Sequence, residues 1–170
     1  MGLTDEQRLR YDRNLKIPGF GEAGQLRLLE SRVLIVGLGG LGSPVGLYLA
    51  AAGVGTLGLM DFDVLDLSNL QRQVLHDTPR LGRPKAESAA ETLARLNPDV
   101  RLTPILERLT TENAGRIFGG FEVVVECSDN FATKFLMNDM CLTYEKPFAT
   151  AGILSLSGQA MFVVPGRTPC

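Results

Sequence analysis

Three glycines, Gly37, Gly39 and Gly42, stand directly behind the apolar run "VLIV" and carry the first chemistry legible in this chain. Their spacing is G-x-G-x-x-G, with Gly40 inside it, and it describes a turn between a strand and a helix. In such a turn, backbone N–H groups and a helix N-terminus receive a phosphate. Asp61 falls where the next strand should end, the place from which a carboxylate hydrogen-bonds a ribose hydroxyl. These residues fit an adenosine ligand of two unrelated kinds: a dinucleotide for hydride transfer, or an ATP whose α-phosphate is attacked.

Charged residues further along favour the triphosphate. "SNLQRQ" places Asn69, Arg72 and Gln73 beyond Asp61, and "GRPK" brings Lys85 to the start of a helix. A dinucleotide has about two phosphate charges, which backbone N–H groups largely satisfy, whereas a triphosphate has about four and needs cations. One cation about 4 Å from a phosphate oxygen is worth roughly 4 kcal/mol at an effective dielectric near 20. Asp129, in "CSDN", argues the same way by opposite sign. A carboxylate aimed at a polyphosphate is repelled unless Mg²⁺ lies between them. Asp63 is a weaker candidate for a related role, through water. Each residue also has a plainer reading: Asp61 and Asp63 as turn residues, Ser128 or Asp129 as a helix cap, Arg72 and Lys85 as solvated charges. Their joint placement after successive strands favours the chemistry.

The elements that must position them are regular. "TDEQ" at 4–7 is a capping box that starts a helix leading into Arg13, and a second helix occupies about 20–30. Strands are expected at 33–37 and 56–60, with a helix at 44–52 between them. "GRPKAESAAETLARLNP" reads as a helix with Pro84 in its first turn and Asn97-Pro98 at its end. "VRLTPIL" is strand-like, "TTENAGRIF" helical, "EVVVECSD" a buried strand and "NFATKFLMNDMCLTYE" helical. "KPFATAGIL" and "GQAMFVVP" complete the pattern as two strands. Alternation of this kind predicts an α/β, Rossmann-like fold: a mostly parallel sheet with helices on both faces and antiparallel strands near the C-terminus. Ligands bind such sheets beyond the carboxyl ends of the strands, at the switch point. One domain is expected over 1–170, with N-terminal helices at 1–30, a nucleotide-binding core at 31–150 and the start of a further part at 151–170.

Composition narrows the classes. The chain has 170 residues, 45% of them hydrophobic and 21% charged, enough for a folded core. A net charge of −2 gives no electrostatic reason to bind nucleic acid or an anionic membrane. Val33 to Met60 carries no charge, yet eight glycines and Pro44 break it into strand, turn and helix, so no membrane span is expected. Cys127, Cys141 and Cys170 share no close spacing, and the N-terminus lacks an apolar leader, so a reducing, cytoplasmic location is expected. Cys127 and Cys141 read as small buried hydrophobes, and His76 as a surface residue without a partner.

"RYDRN", "SRVLIVGLGGLGSP", "DFDVLDLSNLQRQ", "GRPK", "LNPDV" and "CSDN" together resemble the ThiF/MoeB/HesA group, from about residue 7 to the end. These are adenylyltransferases of ubiquitin-like sulfur-carrier proteins, related to ubiquitin-activating enzymes. The resemblance implies that the carrier's C-terminal Gly-Gly carboxylate attacks the α-phosphorus of ATP, giving an acyl-adenylate and pyrophosphate. It implies that Gly40 and its neighbours lie against the phosphates and that Asp61 holds the ribose. Ser68, Asn69, Leu70, Gln71 and Arg72 would line the nucleotide, with Asn69 and Arg72 near the phosphates. Lys85 would neutralise the leaving pyrophosphate, and Asp129 would bind Mg²⁺ with Asn130 beside it. Arg13 matches an arginine that reaches across a homodimer into the partner's site. The family continues into two C-x-x-C pairs that bind zinc; Cys170 matches the first of those cysteines, and one cysteine makes no zinc site. The chain is therefore expected to be a truncated or naturally short form, and Zn enters only in a longer one. The alternatives to this activity are an NAD-dependent oxidoreductase and a nucleotide-binding but catalytically incomplete fragment.

Overall fold

The computed structural model describes residues 2–169. Thr4 opens α1 (Asp5–Arg10) through the predicted capping box: its hydroxyl accepts from the Gln7 N–H while the Gln7 side chain accepts from the Thr4 N–H. The helix does not run on to Arg13. It turns at Tyr11, which is buried and accepts a hydrogen bond from Asn97 Nδ2 at 2.9 Å. A separate short helix, α2 (Asp12–Leu15), carries Arg13. Then come α3 (Gly21–Glu30), β1 (Arg32–Val36), α4 (Gly42–Ala52) and β2 (Thr56–Met60). The second half runs α5 (Lys85–Leu96), β3 (Arg101–Ile105), α6 (Thr111–Phe118), β4 (Val123–Glu126), α7 (Phe131–Thr143), β5 (Phe148–Leu154) and β6 (Ser157–Val163). Pro84 is the cap of α5 rather than a member of its first turn; its extended ψ of 132° lies outside the helix.

One sheet holds all six strands in the order β3-β2-β1-β4-β5-β6, parallel except for the antiparallel β5–β6 pair. β3 is an edge strand, which is why it tolerates Pro104, a residue with no N–H for the ladder. Successive β1 side chains feed opposite layers. Val33 and Ile35 pack with Leu57, Leu59, Leu93 and residues of α4, while Leu34 and Val36 pack with Phe118, Val124, Met137 and Phe148. Each such fully buried aliphatic side chain contributes about 1.5–3 kcal/mol before chain entropy is set against it. No helix among the described residues is long and apolar enough to cross a membrane.

The order reverses between β1 and β4, so the loops leaving these two strands lie side by side. Glycine is required at that contact. Gly37 has φ +93°, and a Cβ there would sit 2.8 Å from the Cys127 carbonyl oxygen. Gly42 closes the turn: a Cβ would lie 2.0 Å from the Gly37 carbonyl oxygen, so α4 could not start so close to β1 with any other residue.

Candidate nucleotide site

At the carboxyl ends of the parallel strands lies a cavity of about 1070 Å³. Gly37, Gly39 and Gly40 form one wall, Asp61 and Asp63 the β2 side, Arg72, Gln73 and Lys85 a third side, and Asp129 and Asn130 the β4 side. Residues far apart in sequence and expected to act together therefore face one space.

The glycine loop is built to receive an anion. Among the described residues, the N–H groups of Gly39, Gly40 and Leu41 have no protein acceptor, and they precede the N-terminus of α4. Unpaired N–H groups at a helix start carry a partial positive charge. The loop is held from outside by Asp61, whose Oδ2 accepts from the Leu38 N–H at 2.8 Å and whose Oδ1 accepts from the Asp63 N–H at 2.9 Å. Asp61 is buried, so its first role in this fold is to fix two turns; each oxygen keeps a lone pair for a ribose hydroxyl.

Lys85 begins α5 with its side chain 9% exposed, and its ammonium donates to Asp63 Oδ2 at 3.2 Å. Solvated charge is thus the wrong reading for Lys85, and Asp63 is first of all its counter-ion. Arg72 is exposed, lies along Gly40 and donates from Nη1 to the Ser68 carbonyl at 3.3 Å. Gln73 is buried in the cavity wall, and its Oε1 has no hydrogen-bond partner among the described residues. A buried acceptor without a donor costs on the order of 1–3 kcal/mol, and a ligand hydroxyl or amine in this cavity would supply the donor.

Several expected residues lie elsewhere. Ser68, Asn69, Leu70 and Gln71 do not line the cavity. Ser68 and Asn69 belong to a 3-10 turn (Leu67–Asn69) that Leu70 caps and Gln71 follows; in its capping box the Asp66 side chain accepts from the Ser68 N–H and Asn69 Oδ1 accepts from the Asp66 N–H. Gly42 packs the turn rather than facing the ligand space. Arg13 does not line the cavity; its side chain is 91% exposed, with Nε 3.8 Å from Asp12 Oδ2. The cap of α7 is Asn130, whose Oδ1 accepts from the Thr133 N–H at 2.9 Å, rather than Ser128 or Asp129. Asp129 is left exposed on the cavity wall. His76 is buried, contrary to the surface position expected of it. Its Nδ1 lies 2.9 Å from Ser88 Oγ and its Nε2 3.1 Å from the Leu38 carbonyl. Cys127 and Cys141 are buried as expected, and burial pushes both thiols up to about 12.

Other residues line the site or brace it from behind, unannounced by the motifs. Glu126 is 1% exposed at the end of β4. Its Oε2 accepts from Lys134 Nζ at 2.6 Å and from Thr150 Oγ1 at 2.8 Å. Its Oε1 accepts from the Ser128 N–H at 2.7 Å and from the Ser128 hydroxyl. An acid closing an apolar run was a visible signal; its partners, on α7 and β5, were not. Phe62, between the two aspartates, is half exposed with the Arg108 guanidinium 4.0 Å above its ring, and both line the cavity.

For a divalent cation, Asp129 offers one exposed carboxylate, and among the described residues no group of three or more His, Cys, Asp or Glu gathers to form a full ligand set. One carboxylate is what a Mg²⁺ ion completed by phosphate oxygens and water would take from the protein. Cys170 lies outside the described residues.

The ThiF family profile matches residues 11–170. The chain is 46% identical over 169 residues to the adenylyltransferase and sulfurtransferase MOCS3 of Drosophila willistoni, covering 99% of this chain and 37% of that protein. It is 47% identical over 158 residues to a probable adenylyltransferase/sulfurtransferase, MoeZ, of Mycobacterium tuberculosis, covering 93% and 40%. The chain thus spans about two fifths of the length of these relatives. Escherichia coli MccB, solved with AMPCPP and selenomethionine-labelled MccA, superposes with a TM-score of 0.87 at 28% identity, over 95% of this chain and 50% of that one.

Proposed function

This chain belongs to the ThiF family, and from that premise we propose that it carries the ATP-binding and adenylylating part of an enzyme that activates a ubiquitin-like sulfur-carrier protein. The observation that carries the reading is the convergence of the unpaired Gly39 and Gly40 N–H groups, Arg72, Lys85 and Asp129 on one cavity. Two cations and a helix start exceed what a dinucleotide pyrophosphate needs, and they match a triphosphate.

The chain's own residues have distinct tasks. The glycine loop receives phosphate oxygens through N–H groups held in place before the ligand arrives. Gln73 Oε1 accepts from the nucleotide, and Asp61 faces the ribose. Arg72 and Lys85 offset the charge that builds on the leaving pyrophosphate as the carrier carboxylate attacks the α-phosphorus. To do so, Lys85 divides its ammonium between Asp63 and the phosphates. Asp129 would hold Mg²⁺, which when bound neutralises phosphate charge. The chemistry is positioning and charge neutralisation, with no covalent enzyme intermediate at this step. Arg13, exposed on α2, is free to reach the site of a second copy, and in this reading the enzyme is a homodimer.

Calorimetric titration with Mg-ATP and, separately, NAD tests the reading. Saturable Mg-ATP binding without NAD binding is expected. Asp129→Asn should keep the thermal midpoint within about 2 °C, since the residue is exposed, while removing the Mg²⁺ dependence of ATP binding. Binding of NAD and not of Mg-ATP would overturn it.

A further inference from the structure

Leu38 is the residue between the first two glycines of the loop, and its two flanking peptide groups are held by different elements. Its N–H donates to Asp61 after β2, and its carbonyl faces His76 Nε2 at 3.1 Å. A carbonyl oxygen only accepts, so Nε2 carries the hydrogen. In the neutral ring Nδ1 is then the acceptor, and Ser88 Oγ, 2.9 Å away, donates to it. This chain of bonds crosses three segments: the glycine loop, the 72–80 segment and α5. The last two are already joined, because Thr92 Oγ1 donates to the Leu75 carbonyl at 2.8 Å and Arg80 Nη1 donates to Thr92 Oγ1 at 2.6 Å. Arg72 and Gln73 precede His76 on this segment, and Lys85 lies one turn before Ser88 on α5.

We propose that His76 is a positioning residue: a neutral imidazole strut that turns the Leu38 carbonyl away from the anion and locks the glycine loop to the body carrying Arg72, Gln73 and Lys85. The inference rests on the reading of the cavity as a site for a phosphorylated nucleotide. The physical need is simple. A loop that offers N–H groups to a phosphate also contains carbonyl oxygens, and one turned toward the anion would repel it. Asp61 fixes the peptide before Leu38, and His76 the one after it. Without His76 that second peptide is free to rotate, and the loop must be ordered when the ligand binds.

The groups around the ring keep it neutral. Burial pushes the imidazole below its ordinary range, and Arg80 and Lys85 act in the same direction; the Leu38 carbonyl and Asp61 oppose them. His76 is thus held as the Nε2–H tautomer, which makes the proposal visible without any ligand.

The experiment uses ¹⁵N NMR and amide hydrogen exchange on the 170-residue chain, followed by titration with Mg-ATP and with adenosine. His76 of the unsubstituted protein should show the Nε2–H tautomer and stay neutral at pH values where a free histidine is half charged. His76→Leu should speed exchange at Leu38 to Leu41 and weaken Mg-ATP by about tenfold, the worth of one net hydrogen bond, while adenosine binding changes less than about threefold. His76→Gln, which can still donate to the Leu38 carbonyl, should restore most of the loss. A charged or Nδ1–H imidazole in the unsubstituted protein overturns the proposal. So does a folded His76→Leu protein with unchanged loop exchange, or equal losses for Mg-ATP and adenosine. If the unsubstituted protein binds no nucleotide, the functional reading fails, and the tautomer and loop exchange still judge His76 separately.

Discussion

Lys85→Met separates a residue kept for a ligand from one kept for the fold. In the folded chain the ammonium sits 3.2 Å from Asp63 Oδ2, with the lysine side chain 9% exposed and the aspartate 51% exposed. At that distance the attraction is about 5 kcal/mol for an effective dielectric near 20 and about 1 kcal/mol in water. Half-exposed Asp63 places the pair toward the weaker end, near 2 kcal/mol. Against this stands the removal of the lysine charge from water, itself several kcal/mol. The attraction does not exceed that cost, and methionine keeps the length and apolar contacts of the lysine stem. Lys85→Met should therefore lose no more than about 1 kcal/mol of unfolding stability, or roughly 2–4 °C in the thermal midpoint of a chain of this size. Toward a triphosphate the balance differs, because about four negative charges then share the cavity with one buried cation. Loss of a contact worth roughly 3–4 kcal/mol should weaken Mg-ATP binding by a factor of about 100 to 1000. Urea unfolding and calorimetry on the same preparations give both numbers. Asp63→Asn completes a double-mutant cycle and should leave Mg-ATP affinity equal or improved, since it frees Lys85. If Lys85→Met loses 3 kcal/mol or more of stability, on the scale of a buried charge left unpaired, while its folded fraction binds Mg-ATP normally, the lysine is a structural tie and the argument fails.

Glu126→Gln should destabilise the chain by about 3 kcal/mol, because it leaves the Lys134 ammonium without the buried carboxylate it bonds at 2.6 Å. Equal urea midpoints for the two proteins would show that the pair does not tie β4 to α7. The buried thiols make stability fall in alkali. Both Cys127 and Cys141 are raised from 9.0 to about 12 on folding, so the folded state keeps protons that the unfolded chain releases. Their contribution is fully present below about pH 9 and is lost as pH rises through about 12. The Cys127→Ala, Cys141→Ala double variant should therefore show a flatter alkaline decline in unfolding free energy, and an identical decline would refute it. Tyr11, raised mainly by burial, adds its own alkaline loss to both proteins.

The sequence by itself determined the local elements and the order in which they follow one another. Apolar runs at Val33–Val36 and Val123–Val125, a capping box at Thr4 and glycines at 37, 39 and 42 act within a few residues of themselves, so their meaning survives without the rest of the chain. The glycine loop was legible for the same reason. Asp61, Lys85 and Asp129 were legible as candidates because each follows a strand or opens a helix, and the alternation fixes which end of the sheet they reach. Tertiary structure alone decided what each charge touches. Nothing local says that Lys85 meets Asp63 across 22 positions, that Glu126 meets Thr150 across 24, or that His76 reaches the Leu38 carbonyl across 38. The turn of Asn69 back on Asp66, by contrast, is a local capping box three positions apart, and the aspartate at 66 was its signal. Spacing reports direction along an element, whereas burial and pairing depend on which elements pack together. His76 shows the difference: the residues that follow it in sequence, Asp77 and Thr78, are polar, its neighbours in space include Leu38 and Ser88, and only the second set gives it a task.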